Sequence, residues 1–194
     1  MANARFCFLM MLVIVGATGS KGFSLNNCLT DDSNSPLRIE EFSFSPDPIR
    51  ADDYVYMSFK AEVTRNVTLP LTLSVSVKKI TFFGWEMPIS CLATGGLPFG
   101  SCTYDVCSAM DHLESSYGCP SEFTAAGLPC RCPFTPGSYN TNTAPVRFYL
   151  NTEGLPYGRF ISSFLAGKYR TVIRVVDGNN SDVMCIDMRY RMVN

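Results

Sequence analysis

The chain reads as an all-β, antiparallel protein with a disulfide-tied irregular insertion and one short helix. Three observations predict this class. Apolar and polar residues alternate with period 2 over most of the length, which marks half-buried strands with one face toward a common interior. Pro-, Gly- and Asp-containing turn signals separate those runs. Cysteines form an even set once the first segment is set aside, which in a secreted chain reads as a disulfide framework.

The first segment reads as a leader. Met1 to Arg5 carries one positive charge, Phe6 to Val15 is an uncharged apolar run too short to cross a bilayer, and Ala17, Gly19 and Ser20 are small. Residues 1–20 are therefore expected to be a signal peptide cleaved near Ser20, leaving 21–194 as a single domain. Cys7 leaves with the leader, so 9 cysteines become 8. No later stretch reaches the roughly 18 apolar residues of a membrane span, and a soluble product of the secretory pathway is expected.

The strands follow in order. Leu37 to Phe44 alternates against Arg38, Glu40 and Ser43. Val55, Met57, Phe59, Ala61 and Val63 oppose Tyr56, Ser58, Lys60 and Glu62. Leu69, Leu71, Leu73, Val75 and Val77 oppose Thr72, Ser74, Ser76 and Lys78. Val146, Phe148 and Leu150 form a shorter run, and Tyr169 to Val176 and Val183 to Met192 end the chain. Turn signals lie at Ser45-Pro46-Asp47-Pro48, Gly95-Gly96, Pro136-Gly137 and Asp177-Gly178. The helix is expected from about Asp105 to Leu113, inside the insertion that runs from about Cys91 to Cys132. Two segments break the pattern: Ile80 to Trp85, with three aromatics beside Gly84, and Leu155 to Gly167, apolar with one Pro and three Gly between them. An apolar, glycine-bearing loop either folds over the core or presents itself to a membrane or ligand.

Composition excludes several functions. Removing Arg5 changes 16 cations against 17 anions to 15 against 17, a net charge of −2 with no basic cluster to neutralise a row of phosphates. No nucleic acid partner is expected. Charged residues are 17% and apolar residues 46%, a greasy balance that leaves apolar surface for a task besides the core, unless the disulfides alone account for it. His112 is the single histidine, and a triad would have to use it. It lies among cysteines with no free thiol expected, so a surface position is the simpler reading. Cys102, Cys107, Cys130 and Cys132 would draw a zinc site only in a reducing compartment. Asp105, Asp111 and Glu114 have carboxylate-pair spacing that equally suits a solvated helix face. No catalytic residue, metal or cofactor is expected. Asn66-Val67-Thr68 and Asn179-Asn180-Ser181 fit the glycan acceptor pattern, so Asn66 and Asn179 are candidate glycosylation sites.

The cysteine cluster carries a likeness. Cys102-Thr103-Tyr104-Asp105-Val106-Cys107, then Gly127-Leu128-Pro129-Cys130-Arg131-Cys132-Pro133-Phe134, then Gly137-Ser138-Tyr139, resembles the ganglioside GM2 activator family. Phe23 to Cys28, Pro46-Asp47-Pro48-Ile49, Gly167-Lys168-Tyr169-Arg170 and Cys185 extend the resemblance across about 25 to 194. It departs in two places. The stretch from Tyr157 to Leu165 lacks the family's tryptophan near Ser163, with Phe160 and Phe164 instead, and the segment between Cys91 and Cys102 is longer and Gly-rich.

The resemblance implies an antiparallel β-cup enclosing a large apolar cavity with hydrophobic loops at its rim. It implies disulfides Cys28–Cys185, Cys91–Cys102, Cys107–Cys132 and Cys119–Cys130. It implies a non-enzymatic protein that lifts glycosphingolipids or phospholipids from a membrane surface. Members present them to a lysosomal glycosidase of the β-hexosaminidase kind, which places this chain in the lysosome, the extracellular fluid, or both. The alternative is a secreted interaction or defence module of the same fold with no hydrolase partner. On this reading Phe82, Phe83 and Trp85 on one side, with Leu155, Tyr157, Phe160, Phe164 and Leu165 on the other, form the rim. Val55, Met57, Phe59, Leu71, Leu73, Val75, Phe148 and Ile173 line the cup.

Overall fold

The computed structural model describes residues 22–30, 35–91, 100–150 and 165–194. In chain order the strands are β1 (Ser24–Asn27), β2 (Leu37–Ser45), β3 (Ile49–Arg50), β4 (Tyr54–Val63), β5 (Thr72–Ile80), β6 (Glu86–Ile89) and β7 (Thr103–Asp105). Helices α1 (Val106–Tyr117) and α2 (Ser121–Ala125) follow, then β8 (Gly137–Asn140), β9 (Val146–Tyr149), β10 (Gly167–Val176) and β11 (Asp182–Val193). The seven-stranded sheet runs β1-β11-β10-β5-β6, with β3 on β11 and β7 on β5. The four-stranded sheet runs β2-β4-β8, with β9 also on β4. Pairing is antiparallel except for β3 with β11.

The long strands alternate in burial because one face of each sheet meets the other sheet. Strand β2 departs from strict alternation by a bulge. Its register on β4 slips between Ile39 and Glu41, so Ile39 and Phe42 both face inward. Two adjacent acidic residues, Glu40 and Glu41, are the trace of that extra residue.

Four disulfides join Cys28 to Cys185, Cys91 to Cys102, Cys107 to Cys132 and Cys119 to Cys130. The first ties β1 to β11, and the others fasten the helical insertion to itself and to the sheet. Helix α1 begins where Asp105 caps it, its carboxylate accepting the Ser108 N–H at 2.7 Å. That hydrogen bond holds the Asp105 carboxyl below its usual range. Gly118, at φ +77°, ends the helix in a conformation closed to side chains with a Cβ. The helix is longer than its expected span, and the five-residue α2 forms beside it without having been expected.

The interior has two regions along the strand direction. Ile49, Val55, Val77, Leu165, Tyr169 and Met192 pack into a solid cluster at one end, with Phe44, Val75, Ile89, Leu150 and Tyr190 against it. At the other end Leu71, Val175 and Val183 form a second cluster, with Leu37 of the facing sheet and Val67, Val106 and Phe134 packed against it.

Candidate functional site

The space between the sheets is a hollow of about 420 Å³, within the range of small-molecule sites. Sheet one contributes Leu71 and Leu73 from the β5 side, Ile173 and Val175 from β10, and Val183, Met184, Ile186 and Met188 from β11. The other sheet contributes Leu37, Ile39, Phe42 and Phe44 from β2, Met57, Phe59, Ala61 and Val63 from β4, and Phe148 from β9. Val106, Leu128 and Phe134 close it from the insertion. Tyr139 brings the one hydroxyl among the described lining side chains, and it donates to the Thr135 carbonyl at 2.6 Å. A hollow so lined gives water no partners and accepts hydrocarbon.

Met57, Phe59, Leu71, Leu73, Phe148 and Ile173 thus surround the hollow. Val55 and Val75 do not, and the expectation for them is corrected. Val55 is completely buried in the solid cluster and Val75 packs against it. Both face inward, but into that cluster, although their cross-strand partners Phe148 and Ile173 line the hollow. Leu165 is also corrected: at 4% exposure it is a cluster residue, held by the Tyr169 hydroxyl, which donates to its carbonyl at 2.8 Å. Leu155, Tyr157, Phe160 and Phe164 lie outside the described residues.

Phe82, Phe83 and Trp85 sit on the β5–β6 hairpin. Thr81 N–H bonds the Trp85 carbonyl at 2.8 Å and Gly84 N–H the Thr81 carbonyl at 3.0 Å, leaving a loop of Phe82, Phe83 and Gly84. Gly84 at φ +82° completes the turn that such loops require. The three aromatics are 98%, 82% and 76% exposed, an unusual cost for a free surface. They do not edge the hollow, as the expected rim required. Ile80 at the hairpin base pairs with Lys168, five residues before Ile173, a separation of about 17 Å along β10. The solid cluster fills that interval.

Access to the hollow is instead marked by Phe148, which lines it yet is 40% exposed, more than any other described lining residue. It pairs with Val55, so this opening lies beside the solid cluster, toward the aromatic end. At the opposite end, the two glycan acceptor sequences meet. Asn66 and Asn179 are exposed, the Gly178 N–H bonds the Thr68 carbonyl at 3.1 Å, and Asn179 Nδ2 reaches Thr68 Oγ1 at 3.4 Å.

Charge is organised on the outer face of the larger sheet. Arg170 makes a bidentate contact with Asp187 (3.1 and 2.7 Å) and reaches Glu86 at 3.1 Å, which also accepts from Lys78 at 3.0 Å. Lys78 and then Arg170 hold the Glu86 carboxyl below its usual value. Burial lowers Lys79, on the inner face near the hairpin.

The residues that might have carried catalysis serve structure. His112 is an exposed residue of α1, Asp105 is a cap, and Glu114 pairs with Arg131. The clustered cysteines are all in disulfides. Among the described residues no group of three His, Cys, Asp or Glu side chains is placed to hold a metal, and no described helix is long and apolar enough to cross a membrane.

A family model described as the ML domain matches residues 22–192. The chain belongs to the ML domain family. This ML domain is 31% identical over 125 residues to the ganglioside GM2 activator of Mus musculus, covering 63% of this chain and 61% of that protein. It is 32% identical over 120 residues to the same protein of Macaca fascicularis, covering 61% and 60%. The matches thus span less than two thirds of these curated relatives. A Niemann-Pick type C2 protein from the Japanese carpenter ant aligns at a TM-score of 0.44 and 12% identity, over 87% of this ML domain and 98% of that chain.

Proposed function

We propose that this protein is a non-enzymatic lipid carrier that withdraws a lipid from a membrane and holds its tails in the hollow between the sheets. The observation that carries this reading is the hollow itself, lined by aliphatic and aromatic side chains whose single hydroxyl is satisfied elsewhere. Such a space is stable empty only at a cost in lost contacts, and acyl chains would supply them.

The energetics require enclosure. Two tails of roughly 30 methylenes cost about 24 kcal/mol to expose to water. That exceeds the strongest non-covalent affinities, near 18 to 21 kcal/mol. Bilayer and hollow are both apolar, so transfer between them is nearly neutral in hydrophobic free energy. The hollow prevents a loss, and the aromatic hairpin lowers the barrier by seating in the interface, where Trp and Phe rings are favoured.

The layout supports one orientation. The aromatics stand at the end nearest the opening at Phe148, while the glycan acceptors stand at the far end, where carbohydrate would not obstruct membrane contact. Secretory routing by residues 1–20, glycans at Asn66 and Asn179, and a lysosomal or extracellular destination belong to this reading. So does presentation of a glycosphingolipid to a β-hexosaminidase-like enzyme, which draws on the names of the curated relatives.

Extraction of a fluorescent glycosphingolipid from sedimentable vesicles tests it. Wild-type protein leaves the lipid in the supernatant, in complex with protein, without altering it chemically. Lipid that stays with the vesicles at every protein concentration contradicts the carrier reading. Adding a purified glycosidase then separates an activator, which raises turnover of vesicle-borne substrate, from a plain carrier.

A further inference from the structure

The outer face of β4 and β9 carries a second aromatic surface that the hollow does not use. Tyr54 and Tyr149 are cross-strand partners, with ring centroids 5.2 Å apart and planes at 65°. Arg147 lies over the Tyr54 ring at 5.0 Å, and Tyr56 is its cross-strand partner. Exposure of Tyr54, Tyr56 and Tyr149 is 45%, 41% and 51%. The rings are held in place: the Tyr149 hydroxyl donates to the Asp52 carbonyl at 3.0 Å, and the Asp53 carboxylate accepts the Tyr54 N–H at 2.7 Å.

This surface is continuous with the opening of the hollow. Strand β9 has four residues; Phe148 points into the hollow while Arg147 and Tyr149 on either side point out. Phe148 and Tyr149 face opposite sides of β9, which among the described strands pairs with β4 alone, so a group emerging beside Phe148 reaches Tyr149 by turning round the other edge of β9. We propose that Tyr54, Tyr56, Arg147 and Tyr149 form a headgroup subsite for an uncharged pyranose sugar joined to a lipid whose tails occupy the hollow. The inference rests on the carrier reading and adds to it where the polar end is bound and what it is.

The chemistry selects a sugar. A pyranose has one face of C–H groups, which suits the negative face of a phenol ring, and an edge of hydroxyls, which suits phenolic and guanidinium donors. An anionic phosphate is served poorly. Arg147 is the one cation among the four residues; it faces the Tyr54 ring, and its charge acts on Glu122. The neighbouring carboxylates Asp52 and Asp53 add negative charge at the site's edge.

The test uses three short-chain fluorescent probes that share one tail design: ceramide, glucosylceramide and sphingomyelin. Wild-type protein is expected to bind glucosylceramide about tenfold more tightly than ceramide. Tyr54→Ala/Tyr149→Ala is expected to erase that margin with ceramide and sphingomyelin binding unchanged, and Tyr54→Phe/Tyr149→Phe to keep most of it. A margin that survives the Ala pair overturns the subsite and leaves the carrier reading standing, as does an equal loss for sphingomyelin. Failure of the wild type to bind any probe overturns both. A double variant that no longer binds ceramide has lost its fold, and Tyr149→Ser alone then decides by the same comparison.

Discussion

Tyr169 stacks on Tyr190 with ring centroids 5.6 Å apart and planes 15° from parallel. The pair stands on adjacent strands in register, Tyr169 of β10 against Tyr190 of β11. It lies within the solid cluster, one residue along β10 from the base of the aromatic hairpin. Each hydroxyl is committed: that of Tyr169 to the Leu165 carbonyl at 2.8 Å, that of Tyr190 to Thr171 Oγ1 at 3.2 Å.

Burial pushes the Tyr169 phenol from 10.0 up to about 12, and burial also raises Tyr190. A raised acid pKa means the unfolded chain ionises first. The stabilisation is fully present below about pH 10 and is lost as pH climbs toward about 12. Tyr169→Phe removes this term and the bond to Leu165, costing about 1 kcal/mol and about 2 to 4 °C in Tm at neutral pH. Thermal melts across the alkaline range check it: the variant's Tm falls less steeply above pH 10 than that of wild type.

Glu86 titrates in the opposite direction. Its carboxyl is held below the ordinary 4.5 by Lys78 and Arg170, so its contribution is present above pH 4.5 and disappears as pH falls through its lower folded value. Glu86→Gln lowers Tm at neutral and mildly acid pH by a similar amount, and the gap to wild type closes only below about pH 4.5. Because the group is only half-buried and its partner Lys78 is more exposed, the gap is small, and it shrinks further with salt.

Phe82 and Trp85 touch little of their own chain. Phe82→Ser/Trp85→Ser therefore leaves folding stability within about 0.5 kcal/mol of wild type. Binding to sedimented vesicles weakens at least about tenfold, since each buried aromatic contributes about 1.5 to 3 kcal/mol. Unchanged vesicle binding removes the hairpin from the membrane contact.

These assignments show what was legible before the structure and what was not. Strict alternation in Val55 to Val63 and Leu71 to Val77 identified two central strands, and the helix expected from about Asp105 begins within one residue of α1. Strands of two to four residues such as β3, β6 and β7 show too little period to be seen, whereas Val146 and Phe148 do mark β9. Alternation also says which residues face inward, but not how far along a strand the opposing sheet withdraws. For that reason Val55 and Val75 were indistinguishable from Met57 and Leu73. Leu165 read as loop because its neighbours are glycine-rich, while its burial depends on Tyr169, a contact made through the fold. The outer tyrosines Tyr54 and Tyr149 look like ordinary strand residues until β9 is laid beside β4.

Contrasting substitutions separate hollow from solid. Ile173→Trp enters open space, so it should cost little stability while cutting lipid uptake by about an order of magnitude. Val55→Trp overpacks the cluster and should cost about 1 to 3 kcal/mol. Equal destabilisation by the two, read from urea unfolding, contradicts the division of the interior.

The most direct measurement is the mass of the intact protein, expressed through a secretory host, before and after denaturation in organic solvent. The account predicts a native mass exceeding the denatured mass by that of a bound lipid, with the lipid recovered in the organic phase. Ile173→Trp protein should show that excess reduced or absent. Equal native and denatured masses, persisting after incubation with glycosphingolipid vesicles, would contradict the claim that the sheets enclose a lipid-holding space.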